Sequence, residues 1–564
     1  MANEIGFKSY CWSIGTTSYR TDNFNMSIEL QMKLLQQFRN LPENKEKIWT
    51  GNNAFQAEYY EFLKKSSFIK GDAPRPDKDA REKTSGLRDI GLLDDERNIT
   101  AAGEALINIS ESEDFSSDNL LEIPKDSFLY FKQLLKTSND VDGNKVRPFV
   151  VFLYIVSKVE YLTYDEFTYL LPLCVNKETT DMIIKSRKGK MNYEDIILSV
   201  LMKMDNYKTA LAMLQEEEIS EELICNIGIN RKSARYDKPY YDLYRLLNII
   251  VFSKEDVALE FYEATKKLTN SKVGGAWRKY FFNSSARSVI SRMGLSVLND
   301  VPILKAESTQ AFNEEFFKIM HLFKAKATLS DYFDLNRRYF KITDIVLFED
   351  NKVKLDVLPK CYIENISDKL LDIAYKETEL ISENVNLEDI QPCLKIDAYS
   401  VYQTLGKSLG KSITDKESAR QVIKDERYAR FNKLIDEKFD KDTLITLFTH
   451  FENRDDNEIR SLVTDNADIP TIFEYVLGIA WYIISDRKGD VLKFMNLSLE
   501  ADLLPKTHAG GGEADIVWKY EKSEWYPQHT LLLEATLADG SNQRRMEMEP
   551  VSRHLGDYCL LHPE

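Results

Sequence analysis

Two carboxylates near the C-terminus have the setting of a metal site. Asp515 follows a glycine run, Gly510-Gly511-Gly512, and heads a short apolar stretch, Ile516-Val517-Trp518, while Glu534 interrupts the apolar stretch that starts at Leu531 and continues to Thr536. If 515–520 and 528–536 form an antiparallel hairpin about a turn at 521–527, the midpoint between Asp515 and Glu534 falls between Glu524 and Trp525. The two acids then stand opposite one another on one face of the hairpin. Like charges so placed repel unless a cation lies between them. With the Ala535 carbonyl they make a hard-oxygen set of metal ligands that suits Mg²⁺ and leaves positions for water and a phosphate oxygen. Zinc fits less well, because His508 and His554 have carboxylates for neighbours and no thiolate is close in sequence.

Other groups gather around this pair. Of the six histidines, His508, His529, His554 and His562 all follow residue 500. Past the second strand a turn enters a helix on which Gln543 and Glu547 share a face at i, i+4. Glu547 and Glu549 read equally as a solvated helix face, and Arg553 and His554 as phosphate-binding or proton-moving groups or as structural ones. Upstream, Pro470 to Ile484 is apolar almost all round, the pattern of a buried helix, and Glu474 is its one ionisable residue. A buried carboxylate needs a partner. Thr471 and Glu474 have capping-box spacing, so Glu474 is either a helix cap or an active-site acid.

The elements that must position these groups belong to a large chain. At 564 residues two to four domains are expected, and an apolar content of 43% suits a globular protein. No run of uncharged apolar residues is long enough to span a bilayer. The N-terminus shows neither a cationic lead nor an apolar h-region, so a cytoplasmic protein without a membrane partner is expected. The six cysteines are scattered without metal-binding or disulfide spacing. A formal charge of −16 argues mildly against nucleic acid as a partner but leaves room for a basic face on one part of the chain.

Two segments have such basic character. Arg81, Lys83 and Arg88 precede Asp89-Ile90-Gly91-Leu92-Leu93-Asp94-Asp95, and Arg337 and Arg338 precede Asp344-Ile345-Val346-Leu347-Phe348-Glu349-Asp350, with acidic and apolar positions in register. A basic helix, a strand, an acidic turn and a second strand make a winged-helix pattern, whose helix would meet DNA. The same residues also read as a solvated helix and an ordinary hairpin. Between them, Arg231, Lys232, Arg235 and Lys279 lie among aromatic residues (Tyr236, Tyr240, Trp277, Tyr280, Phe281), an arrangement that suits phosphate and sugar contacts. From Ile363 to about Phe451 the sequence is polar and helical, as expected of a connector carrying a mobile C-terminal domain.

Several motifs together point to a family. Trp12-Ser13-Ile14-Gly15-Thr16-Thr17-Ser18, Leu87 to Leu93, Phe473-Glu474, Thr507-His508-Ala509-Gly510 through Asp515, and Glu534-Ala535-Thr536 through Glu547 to His554 resemble the AlwI family of type IIS restriction endonucleases and related site-specific nickases. The resemblance runs from about residue 8 to the end. It implies a multidomain, mainly α protein with small β parts: a winged-helix-like DNA-recognition region over 1–362, a helical linker over 363–452, and an α/β nuclease of the PD-(D/E)xK class over 453–564. It implies Mg²⁺-dependent hydrolysis of double-stranded DNA a few base pairs outside a short asymmetric site, with a dimer or second nuclease subunit for double-strand cleavage. Asp515 and Glu534 are then the metal ligands, and Glu474, Glu547 and His554 further active-site groups. Thr536 stands where the class usually has lysine, so Gln543, Arg553 or His554 would orient water or stabilise the phosphorane charge. The chain also ends ten residues past His554, where the family continues with a further strand and helices. The competing expectation is therefore a sequence-specific DNA-binding protein whose shortened nuclease domain is inactive or partner-dependent. A third, an α-helical interaction protein without DNA, leaves the Asp515 and Glu534 pair unexplained.

Overall fold

The computed structural model describes residues 5–15, 21–112, 114–189, 192–508, 514–538 and 540–562, except the side chains of 188, 507, 508, 540–547, 549 and 550. The chain is mainly helical with small sheets. It divides into two compact units, one of residues 1–13, 139–151 and 162–334, the other of 14–138, 152–161 and 335–564.

The first unit carries the antiparallel hairpin of β1 (Asn139–Val141) and β2 (Asn144–Val146), followed by short helices around an aromatic core. Trp277 stacks on Phe281 at 5.4 Å between ring centroids and meets Phe316 at 5.9 Å. The aromatic residues expected to lie among DNA-binding bases therefore divide. Tyr240, Trp277 and Phe281 are buried, whereas Tyr236 stays exposed. Their size is used to fill this core.

A short strand, β3 (Tyr161–Thr163), precedes the long helix Thr309–Lys341, after which come β4 (Val346–Glu349) and β5 (Lys352–Leu355), paired as an antiparallel hairpin. The two basic segments compared above diverge here. The second has this four-residue hairpin, whereas the first has a single bridge, Leu93 to Ile99, before the helix Ala101–Ser112. Their helix ends also differ in register. The helix Pro76–Asp89 is followed by Gly91 at φ +75°, and Thr309–Lys341 by Asp344 at φ +51°. The left-handed residues thus sit two places apart in the matched strings, so the repeat is one of pattern rather than of equivalent positions.

The second unit holds the C-terminal core. Phe431 and Ile435 on Lys416–Lys438, with Phe439 just past its end, recur at helical spacing and are buried in one cluster with Tyr475, Val476, Ile516 and Trp518. The stretch 363–452 is therefore no free connector: one of its helices supplies core to the strands that follow it. Those strands are β6 (Leu497–Leu499), β7 (Pro505–His508), β8 (Ile516–Tyr520) and β9 (His529–Leu533). β6 pairs with β7 and β8 with β9, both antiparallel, and a Met495 to Ile516 bridge links the two pairs. A last helix, Gly540–Leu561, follows.

Gly91 is required by two constraints at once. Its φ lies in the left-handed region, and a Cβ there would stand 2.2 Å from the Ile381 carbonyl oxygen, a backbone atom that cannot rotate away. Gly91→Ala should lower stability by about 1–3 kcal/mol, read as a fall in the urea midpoint without change in m.

Candidate active site

The β8–β9 register pairs Ile516 with Leu533 and Val517 with Leu532, which extrapolates to Asp515 opposite Glu534. The pairing expected from the turn arithmetic is therefore the one the hairpin adopts. Beyond the last ladder pair, Asp515 Oδ2 accepts a 2.7 Å hydrogen bond from the Ala535 amide. The chain thus binds the first acid through the backbone that follows the second. Glu534 Oε1 lies 2.6 Å from His554 Nδ1, and both side chains are mostly shielded. Its other oxygen makes no hydrogen bond among the described residues. With Nδ1 facing the carboxylate, the His554 ring is oriented and its Nε2 is left to handle a proton.

Glu474 sits in the helix Ile469–Ile484 and is 4% exposed. The capping reading fails. The N-cap is Asp468, whose side chain accepts from the Thr471 amide at 2.9 Å, so Glu474 lies more than a turn inside the helix. This helix packs close to the strands at Gly478, where a Cβ would meet Met495 Sδ at 2.4 Å and Ile516 Cδ1 at 3.8 Å. The Asn496 amide in turn donates to the Asp515 carbonyl at 2.8 Å. Helix, bridge and strand thereby position the start of β8. Glu547 belongs to the helix Gly540–Leu561, but its side chain, like those of Gln543 and His508 and the whole glycine run, lies outside the described residues.

Asp515, Glu534 and the Ala535 carbonyl are the groups that could hold a divalent cation. Two opposed carboxylates with an oxygen to spare on Glu534 fit a hard, oxygen-seeking ion. Among the described residues no three or more His, Cys, Asp or Glu side chains form a metal cluster.

The basic residues have different surroundings. Arg338 is buried, with one guanidinium nitrogen donating to the Thr21 carbonyl at 2.7 Å and another 2.7 Å from Asp465. Arg337 pairs with the same carboxylate at 3.3 Å. Arg338, buried and paired, has no phosphate-facing side, which conflicts with its expected contact with DNA, whereas Arg337 is only partly buried. Arg81 pairs with Asp77 at 3.1 Å and also donates to Asn53 and Gln56. Arg88 is exposed and pairs with Asp89 at 2.7 Å, and Lys83 is half-buried without an acidic partner among the described residues. In the first unit Arg231, Lys232, Arg235 and Lys279 are all exposed, and none forms an ion pair among the described residues. Their neighbours Lys267 and Lys272 are instead paired with Asp242 and Asp331.

Sequence reasoning missed a group of buried charges behind the strands. Lys506 on β7 meets Asp126 and Asp344, and Lys341 meets Glu500 and Asp502. These residues stand far apart in the chain, and no local spacing marks them.

The comparisons with known proteins accord with this layout. Residues 88–561 match the model of a restriction endonuclease family, a class that acts on DNA. The chain belongs to the AlwI restriction endonuclease family, and membership implies a sequence-specific DNA endonuclease. No curated protein matches it. Among the described residues no helix is long and apolar enough to cross a membrane.

Arg338→Met should cost about 1 kcal/mol of stability by removing the buried guanidinium's bonds to the Thr21 carbonyl and Asp465, yet leave the salt dependence of DNA binding unchanged. Chemical denaturation and a salt titration of DNA affinity check the two halves.

Proposed function

We propose that this protein is a type IIS endonuclease that hydrolyses a phosphodiester a few base pairs outside a short asymmetric site in double-stranded DNA, using Mg²⁺. The observation that carries the reading is the juxtaposition of Asp515 and Glu534 by the hairpin register, with His554 bonded to Glu534. The PD-(D/E)xK class is supported by a buried acid on the helix Ile469–Ile484, by the two acids on neighbouring strands, and by the helix that follows.

In this reading Asp515, Glu534 and the Ala535 carbonyl would hold Mg²⁺. When bound, the ion supplies a Lewis acid at the scissile phosphate and makes water a better nucleophile at neutral pH. The Ala535 amide keeps the Asp515 carboxylate turned toward the site, and Glu534 fixes the imidazole of His554. His554 then takes the proton from the attacking water or gives one to the departing 3′ oxygen through Nε2. Glu474 and Glu547 stay as further acids of the same site, and a dimer or second nuclease subunit would cut the other strand.

Phosphate contact is assigned first to Arg231, Lys232, Arg235 and Lys279, whose charges no carboxylate neutralises among the described residues. Lys83 and Arg88 support a second contact on the helix Pro76–Asp89, in keeping with a winged-helix-like module. The competing reading is a sequence-specific DNA-binding protein whose nuclease domain is inactive or partner-dependent. It expects site-selective binding with no cut ends.

Incubating the protein with plasmid DNA and Mg²⁺ should give discrete fragments or nicked circles, and Asp515→Asn should lower that rate about 100-fold or more while DNA affinity persists. Undiminished cutting by the variant contradicts the site. Separately, Lys232→Ala with Arg235→Ala should reduce the slope of log affinity against log salt by about 0.9 for each phosphate that is no longer neutralised. An unchanged slope removes these residues from the interface.

A further inference from the structure

The β6–β7 hairpin is held from both sides by desolvated charge. Lys506 Nζ lies 2.7 Å from Asp126 Oδ2 and 3.1 Å from Asp344 Oδ2, and donates to Ser127 Oγ at 2.9 Å. All four residues are almost fully buried. Burial pulls the Lys506 ammonium down, but the two carboxylates outweigh it and hold the group above the ordinary lysine value. The second cluster reverses the polarity. Lys341 Nζ, at the end of the long helix, lies 2.7 Å from Glu500 Oε2 and 2.8 Å from Asp502 Oδ2, both in the β6–β7 turn. Glu500 also accepts from Asn466 at 2.6 Å, and Arg430 spans Asp356 and the Ala501 carbonyl.

These contacts complete a path within the second unit. The helix Pro76–Asp89 ends at the Ile90 carbonyl, which accepts from Gln133 at 2.9 Å; Gln133 shares the helix Lys125–Lys136 with Asp126 and Ser127. Those two bind Lys506 on β7, β7 pairs with β6, and the residue before β6, Asn496, is bonded to the Asp515 backbone. The joints are helices, a ladder, a buried ion cluster and two hydrogen bonds to backbone carbonyls, and buried ion pairs tolerate little change in geometry, because separating the partners leaves a desolvated charge.

We propose that the Lys506 triad and its Lys341 counterpart fix the distance between DNA held on the helix Pro76–Asp89 and the scissile phosphate, with Lys506 and Lys341 as positioning residues. The inference rests on the reading that the enzyme cuts outside its site. Successive phosphates of one strand advance about 3.4 Å along the duplex axis, so slack of that size along the axis moves the cut by one nucleotide. Two salt-bridged clusters, each closed at hydrogen-bond distance, leave no such slack.

The test is to digest plasmid DNA with Mg²⁺ and sequence all ends produced by the wild-type protein and by two neutralised triads, K506M/D126N/D344N and K341M/E500Q/D502N. Neutral side chains of similar size avoid stranded buried charges, and a cooperative melt confirms folding. The wild type should give one offset from one sequence, whereas each variant should keep the sequence but spread or shift its ends to neighbouring phosphodiesters. A folded variant that cuts only at the wild-type offset, even more slowly, overturns the proposal. If a triad variant does not fold, Lys506→Arg keeps the charge but displaces it from Asp126 and Asp344; an unchanged offset there overturns the proposal as well. A wild type that yields no discrete ends instead defeats the proposed function, and the ruler with it.

Discussion

The β6–β7 hairpin depends on buried charges that meet across the second unit, and the candidate site depends on the hairpin. Removing one partner of such a cluster costs about 3–5 kcal/mol, a large share of the stability of an ordinary domain. The protein has two, of opposite sense: a lysine from β7 reaching acids on earlier elements, and a lysine from an earlier element reaching acids in the β6–β7 turn. Apolar packing alone would have held the strands with less directional precision. The charges fix an orientation as well as a contact, and β8, bridged to Met495 before β6, inherits it.

This changes the picture of the C-terminal part from a tethered domain to an integral one. Phe431, Ile435 and Phe439 place the helix Lys416–Lys438 in the same core as Tyr475 and Trp518, and Arg337 and Arg338 serve Asp465 in the same unit. Arginines that look like DNA-binding groups in the sequence are here structural. Lys232, Arg235 and Lys279, exposed and without carboxylate partners among the described residues, lie in the other unit, among residues whose large aromatic neighbours are mostly core.

How much of this could be read from the sequence follows the range of each interaction. The opposition of Asp515 and Glu534 depends only on a short turn and a period of two, so arithmetic on the chain found it, and the ladder Ile516 to Leu533 agrees. The buried helix from Pro470 was legible from its apolar run, but its cap was misassigned: Asp468 and Thr471 are three apart, as are Thr471 and Glu474, and the first acid takes the cap. Residues 363–452 read as a linker because they are polar and rich in charge, while one apolar face is enough to join a core. The Lys506 cluster was beyond reach, since its partners are 380 and 162 positions away.

The central claim is that Asp515 and Glu534 together hold the divalent ion that hydrolysis needs. Anomalous diffraction from crystals of the protein with duplex DNA and Mn²⁺ tests it most directly. The account predicts one Mn²⁺ peak in contact with both carboxylates and a phosphate oxygen of the DNA, about 2 Å from each ligand. A peak bound elsewhere, or to only one of the two acids, would contradict it.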